Sequence, residues 1–126
     1  MVLIDTSAWV RMFHGRQPYR RAIEELLDEG EVLGHELVYG ELMIGDAGAR
    51  AKPLLTYSRL SYAATVPHVE VAQLVRARRL FGRGIGWIDA HLLAATMAAK
   101  ATLYTADGPL QELAAELGVA HLAAAR

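Results

Sequence analysis

Short apolar runs with β character alternate with longer helical patterns from one end of the chain to the other, and this alternation restricts the fold more than any other feature. Strands separated by helices pair in parallel, because a crossover through a helix brings the chain back to the same edge of the sheet. Val2-Leu3-Ile4 reads as a buried strand, followed by capping residues in Asp5-Thr6-Ser7 and a helix from Ala8 to Phe13. Tyr19 to Asp28 carries Ala22, Ile23, Leu26 and Leu27 on one helical stripe, and Gly30 ends it. Glu31 to Gly34 suits a second strand and Glu36 to Gly45 a helix. A further helix is expected over Ala49 to Tyr62, with Pro53 in its first turn, then a third strand at Ala64-Thr65-Val66 and a helix from Val69 to Arg83. Past the glycines at 82, 84 and 86, Ile88 to Ala99 reads as a helix buried on most sides. Thr102 to Thr105 is a strand, Pro109 to Leu117 a helix closed by Gly118, and Val119 to Leu122 a last strand. The expected fold is a single α/β domain over residues 1–126, a three-layer α/β/α sandwich around a short, mostly parallel sheet of four to five strands.

Composition removes several classes of function. With 53% hydrophobic and 21% charged residues, the chain can bury one core and is not of disordered composition. The formal net charge of −1 argues against nucleic-acid binding through bulk positive field alone, although acidic ligands can mask a basic rim. The absence of cysteine excludes disulfides, thiolate catalysis and zinc–thiolate sites. The N-terminus meets Asp5 after four residues and has no secretory pattern, and stretches such as Leu92 to Ala99 are too short to span a bilayer. A cytoplasmic protein with no membrane association is expected.

The acids carry the chemistry. Asp5 follows the first strand and Asp107 follows the strand Thr102 to Thr105, so a parallel sheet brings both to one edge, where ligands of such folds bind. Glu41 lies in a mostly apolar helix among Leu37, Val38 and Ile44, a costly place for a carboxylate that is neither paired nor bound to a cation. Asp89 opens the helix Ile88 to Ala99, as a cap or as the first polar group on its inward face. Carboxylates converging on one pocket repel one another, and a divalent cation relieves the conflict. All-oxygen ligation suits Mg²⁺ or Mn²⁺ better than zinc. One or two such ions activate water for attack on a phosphodiester without a serine, cysteine or histidine nucleophile.

The same residues carry a family resemblance. Val2-Leu3-Ile4-Asp5-Thr6-Ser7-Ala8, Tyr39-Gly40-Glu41-Leu42-Met43-Ile44-Gly45, Trp87-Ile88-Asp89-Ala90-His91-Leu92-Leu93-Ala94-Ala95 and Leu103-Tyr104-Thr105-Ala106-Asp107 are similar, in order and spacing, to the four motifs of PIN-domain ribonucleases, and most closely to the VapC toxins of bacterial toxin–antitoxin pairs. The resemblance spans essentially the whole chain. It implies that Asp5, Glu41, Asp89 and Asp107 form the metal-binding catalytic set, with Thr6 and Thr105 orienting them. It implies endoribonuclease activity on structured RNA such as tRNA or rRNA, a homodimer and higher toxin–antitoxin assembly, and silencing by a VapB-like antitoxin. Some relatives carry a further acid, for which Glu112 is the candidate here; its place also suits a solvated helix face.

Arg76, Arg78, Arg79 and Arg83 cluster toward the end of one helix, and Arg76, Arg79 and Arg83 are the candidate phosphate contacts. Trp9, Met12 and Phe13 suit either core or a partner surface. His91, two residues past Asp89, reads as helix surface. A housekeeping PIN nuclease maturing rRNA or tRNA fits the same acids. A phospho-receiver domain fits poorly, because a single acid follows the first strand and the lysines are Lys52 and Lys100. A catalytically dead binding module fits poorly because all four acids are present.

Overall fold

The computed structural model describes residues 1–45 and 50–122. Its elements run β1 (Val2–Ile4), α1 (Thr6–Phe13), α2 (Tyr19–Asp28), β2 (Val32–Gly34), α3 (Glu36–Ile44), α4 (Ala51–Ser58), β3 (Ser61–Tyr62), α5 (His68–Ala77), α6 (Trp87–Ala98), β4 (Thr102–Tyr104) and α7 (Gly108–Glu116). Among the described residues four strands form one parallel sheet in the order β3-β2-β1-β4. Every residue of the central strand β1 is buried, so both faces of the sheet are covered by helices, the arrangement parallel sheets require. The fold is the expected α/β sandwich, and Leu103 pairs with Ala120 in a single parallel bridge where the sequence predicts a fifth strand.

Three expected boundaries move, each for a local reason. The third strand lies at Ser61–Tyr62 and not at Ala64–Val66. It pairs Leu33 with Ser61 and Gly34 with Tyr62, and the Ala63 N–H donates to the Gly34 carbonyl at 2.9 Å. Beyond Gly34 the chain turns into α3, so residues 64–66 have no ladder left to join. The helix expected over Ala49 to Tyr62 ends at Ser58 for the same reason, since its last residues are taken by β3; Ala49 lies outside the described residues.

The helix expected to reach Arg83 stops at Ala77. Arg79 takes a left-handed conformation (φ 54°), the Arg79 N–H reaches the Arg76 carbonyl, and the Leu80 N–H bonds the Val75 carbonyl at 2.9 Å. This closes the helix as a glycine would, with an arginine in the glycine's place and Leu80 buried behind it. Arg79 and Arg83 are therefore loop residues.

Helix α6 is buried along an unbroken run from Ala90 to Thr96, which its Ala/Leu content predicts. His91 lies in that run at 1% exposure and is core, not helix surface. Trp9 is also core: it packs edge-on against Tyr57 with ring centroids 5.4 Å apart, while Met12 and Phe13 pack partly buried against the same cluster. No helix of the described residues is long and apolar enough to cross a membrane.

Candidate active site at the carboxyl edge of the sheet

The register of β1 on β4 builds the centre of the site. Ile4 stands beside Tyr104, and the Asp5 N–H continues the ladder to the Tyr104 carbonyl at 3.0 Å. The residues just past the two strands, Asp5 and Thr105, are thereby side by side. Asp5 caps α1, its Oδ1 accepting from the Ala8 N–H at 3.0 Å and from Ser7 Oγ at 2.7 Å. Its Oδ2 accepts from Thr105 Oγ1 at 2.6 Å.

Each of those hydroxyls has one proton and gives it to Asp5, so each is left to accept. Ser7 Oγ accepts from the Ala106 N–H and Thr105 Oγ1 from the Asp107 N–H, both at 3.0 Å. Ser7 thus joins α1 to the loop after β4, a role that a capping preference alone does not reveal. The clue in the sequence is a run of three capping types, Asp5-Thr6-Ser7, where one cap suffices.

Asp5 is 4% exposed, and all three of its donors are neutral. Burial pushes its carboxyl above the usual value of 3.8; the hydrogen bonds from Thr105, Ser7 and Ala8 pull the other way, and the nearby charge of Asp89 adds to the rise. Among the described residues no cationic side chain is paired with Asp5, Glu41, Asp89 or Asp107.

The other three acids are half-buried around this centre. Asp107 caps α7, Oδ2 accepting from the Leu110 N–H at 3.1 Å. Asp89, in the first turn of α6, accepts from the Gly86 N–H at 3.0 Å through Oδ2. Glu41, one residue before the buried Leu42 of α3, accepts from Thr6 Oγ1 at 2.6 Å through Oε1. Thr6 therefore ties α1 to Glu41 as Thr105 ties β4 to Asp5. Among the described residues, Oε2 of Glu41, Oδ1 of Asp89 and Oδ1 of Asp107 have no hydrogen-bond partner.

The structure links Asp5 to Asp107 through Thr105, sets Asp89 within electrostatic reach of Asp5, and holds Glu41 through the residue next to Asp5. Among the described residues no three His, Asp or Glu side chains stand close enough together to surround a metal ion as they are. The remaining candidates lie apart from this chain of bonds. Glu112 is exposed and pairs with Arg83 at 3.5 Å, which agrees with a solvated face. Arg83 is engaged by Glu116 as well, whereas Arg76 and Arg79 are exposed and make no ion pair among the described residues.

The PIN domain family model matches residues 2–116. Two proteins named Ribonuclease VapC32, from two strains of Mycobacterium tuberculosis, are each 40% identical to the chain over 121 residues, covering 95% of this chain and 95% of theirs. The fold is similar to that of PAE2754 from Pyrobaculum aerophilum, with a TM-score of 0.59 and 18% identity over 93% of this chain and 88% of that one. By sequence, over nearly its whole length, the chain belongs to the PIN-domain family, in the branch of the VapC ribonucleases.

Proposed function

We propose that the chain is a Mg²⁺- or Mn²⁺-dependent endoribonuclease, the toxin of a VapBC-type pair, which hydrolyses a phosphodiester bond of structured RNA (a tRNA or rRNA) in the cytoplasm. The observation that carries this reading is the condition of Asp5. A buried carboxylate held by neutral donors alone, within electrostatic reach of a second carboxylate and with no cationic side chain paired to it among the described residues, is an unbalanced charge that a bound cation would balance.

The donor set fits a hard divalent ion. Asp5, Glu41, Asp89 and Asp107 offer carboxylate oxygens only, three of those oxygens without a hydrogen-bond partner among the described residues, and no sulfur or imidazole that would favour zinc. These four residues would hold one or two ions. Bound there, the metal supplies positive charge that acidifies a water and steadies charge developing on the phosphate.

The chain's own contribution is placement. Ser7, Thr105 and the Ala8 N–H fix both oxygens of Asp5, Thr6 fixes one oxygen of Glu41, and the Gly86 N–H fixes one of Asp89. Outer contacts of this kind set the direction and basicity of a metal ligand. Arg76 and Arg79 supply positive charge for the RNA backbone. A VapB-like antitoxin and a second copy of the chain are the proposed partners. Kinship with VapC ribonucleases supports both, as do the exposed apolar side chains Met43, Ile44 and Leu55 on α3 and α4.

The test is incubation of the purified protein with total RNA in Mg²⁺, in Mn²⁺ and in EDTA, with the new ends mapped. Discrete cuts that need the metal support the reading; intact RNA under all conditions overturns it.

A further inference from the structure

Arg83 fastens the loop between α5 and α6 to α7. Its guanidinium forks onto Glu116, Nη1 donating to Oε1 at 3.3 Å and Nη2 to Oε2, and Nη2 also reaches Glu112 Oε1 at 3.5 Å. One residue on, Gly84 lies so close to the Pro109 ring that a Cβ added to it would stand 3.4 Å from Pro109 Cβ. Pro109, Glu112 and Glu116 are spaced three and four residues apart, so they share one face of α7, and the loop lies against that face. Exposed ion pairs are weak one at a time, but a two-pronged arginine–carboxylate pair within a network is the favourable case.

The loop depends on such a fastening. Its ends are anchored by buried Leu80 and by half-buried Ile85, which packs against the core. Between those anchors Gly82 and Gly84 take φ of 69° and 84°, with no side chain to restrain them. Arg83 is the residue between the two glycines, and its bonds run to α7.

The clamp joins the elements that carry two of the acids. On the loop side, the Gly86 N–H holds Asp89 Oδ2 at 3.0 Å. On the other side, Asp107 caps the helix that bears Glu112 and Glu116, its Oδ2 accepting from the Leu110 N–H at 3.1 Å. Each acid is thus held by one oxygen to its own side of the clamp. Because no three such side chains among the described residues surround an ion as they stand, the alignment of the separate elements decides how well an ion is held.

Resting on the metal site proposed above, we infer that Arg83 is a positioning residue for the divalent ion. By clamping the loop to α7 it fixes the placement of Asp89 relative to Asp107, and so strengthens cation binding although it carries the cation's own sign. Glu112 and Glu116 serve as clamp partners and not as ligands.

The charge signs separate this role from simple electrostatics. A positive side chain near a cation site weakens cation binding through space, and a negative one strengthens it. Coulomb's law alone therefore gives tighter binding when Arg83 is neutralised and weaker binding when Glu116 is. The clamp gives weaker binding in both cases.

Mn²⁺ binding to the full chain, followed by the paramagnetic resonance of the free ion, measures the difference. Arg83→Gln and Glu116→Gln should each raise the dissociation constant about three- to tenfold. The double variant should bind no more weakly than the weaker single one, because the same clamp is lost once. Arg83→Lys keeps the charge and loses the fork, and should fall between Arg83→Gln and the unsubstituted chain. Amide hydrogen exchange at residues 82–86 without metal should quicken in Arg83→Gln, while the buried run of α6 stays protected.

Mn²⁺ binding that is unchanged or tighter in Arg83→Gln overturns the clamp, as do additive losses in the double variant or unchanged exchange at residues 82–86. The two readings separate. An unsubstituted chain that binds no Mn²⁺ removes the metal site and the clamp's role with it, whereas Mn²⁺ bound equally well by Arg83→Gln removes the clamp alone. The predicted order of Mn²⁺ affinities in a chain that cleaves no RNA supports the clamp and removes the nuclease reading alone.

Discussion

Thr105 Oγ1 donates to Asp5 Oδ2 at 2.6 Å across 100 residues of sequence. The register of β1 on β4 makes the contact, and the Asp107 N–H donating to the same hydroxyl extends it to the second strand-end acid. One small side chain therefore orients one acid and positions the loop that carries another.

Replacing that hydroxyl should damage both. Thr105→Val keeps the volume, removes the donor to Asp5 and leaves the Asp107 N–H without its acceptor. RNA cleavage should fall about 10–100-fold, and stability by about 1–2 kcal/mol. Thr105→Ser should restore most of both. Initial rates on a defined RNA, together with urea unfolding, check this.

Asp5→Asn should separate activity from stability. The folded-state pKa of Asp5 is raised above its ordinary value of 3.8, so the fold favours the neutral carboxyl. The stability this contributes is present below that value and is lost as pH rises through the folded pKa. At neutral pH the metal-free protein therefore carries a penalty that Asn removes. Asp5→Asn should melt at the same or a higher temperature, by an amount on the order of 1 kcal/mol. The difference should shrink as pH approaches 4, while cleavage falls by more than the roughly 100-fold expected for an outer contact. Melting curves of both proteins in EDTA from pH 4 to 7.5 measure it.

His35 makes the fold acid-sensitive with the opposite sign. It is fully buried, caps α3 by accepting from the Leu37 N–H through Nδ1, and burial holds its pKa below the ordinary value of 6.5. The stability tied to its neutral form is present above 6.5 and is lost as pH falls through the lower folded pKa. The urea midpoint should drop as pH is taken from 7.5 toward 5. His35→Asn keeps a capping acceptor and removes the titration, so it should flatten that drop even if it lowers the plateau.

Arg83 and its neighbours should differ in RNA binding. Glu116 and Glu112 already occupy the Arg83 guanidinium, whereas Arg76 and Arg79 are exposed without ion pairs among the described residues. Arg76→Gln and Arg79→Gln should each reduce the slope of log affinity against log salt by about 1, and Arg83→Gln by less. Binding of labelled RNA to the Asp5→Asn background at several salt concentrations decides it.

The ends of this site are more legible in the sequence than its interior. Asp5 and Asp107 are readable there because a parallel sheet gathers the residues past its strand ends at one edge, and Thr105 comes with them. Ser7 is not, since a serine that caps a helix and one that bridges to a distant loop look alike in one dimension. His91 reads as surface because its distance from Asp89 along the chain says nothing of α5, whose His68 meets it. The end of α5 is hidden because Arg79, and not a glycine, takes the left-handed turn, an arrangement that depends on burying Leu80. The third strand is displaced because strand propensity in residues 64–66 cannot show that β2 has already run out of partners at Gly34.

The most direct measurement is the initial rate of RNA cleavage as free Mg²⁺ or Mn²⁺ is raised from zero in EDTA, for the unsubstituted chain and for Asp89→Asn. A metal-dependent site predicts no cleavage without the ion, a saturating rise with it, and a loss of at least about 100-fold in the variant at every concentration. An undiminished rate in EDTA, or an Asp89→Asn chain that cuts as fast as the original, would contradict it.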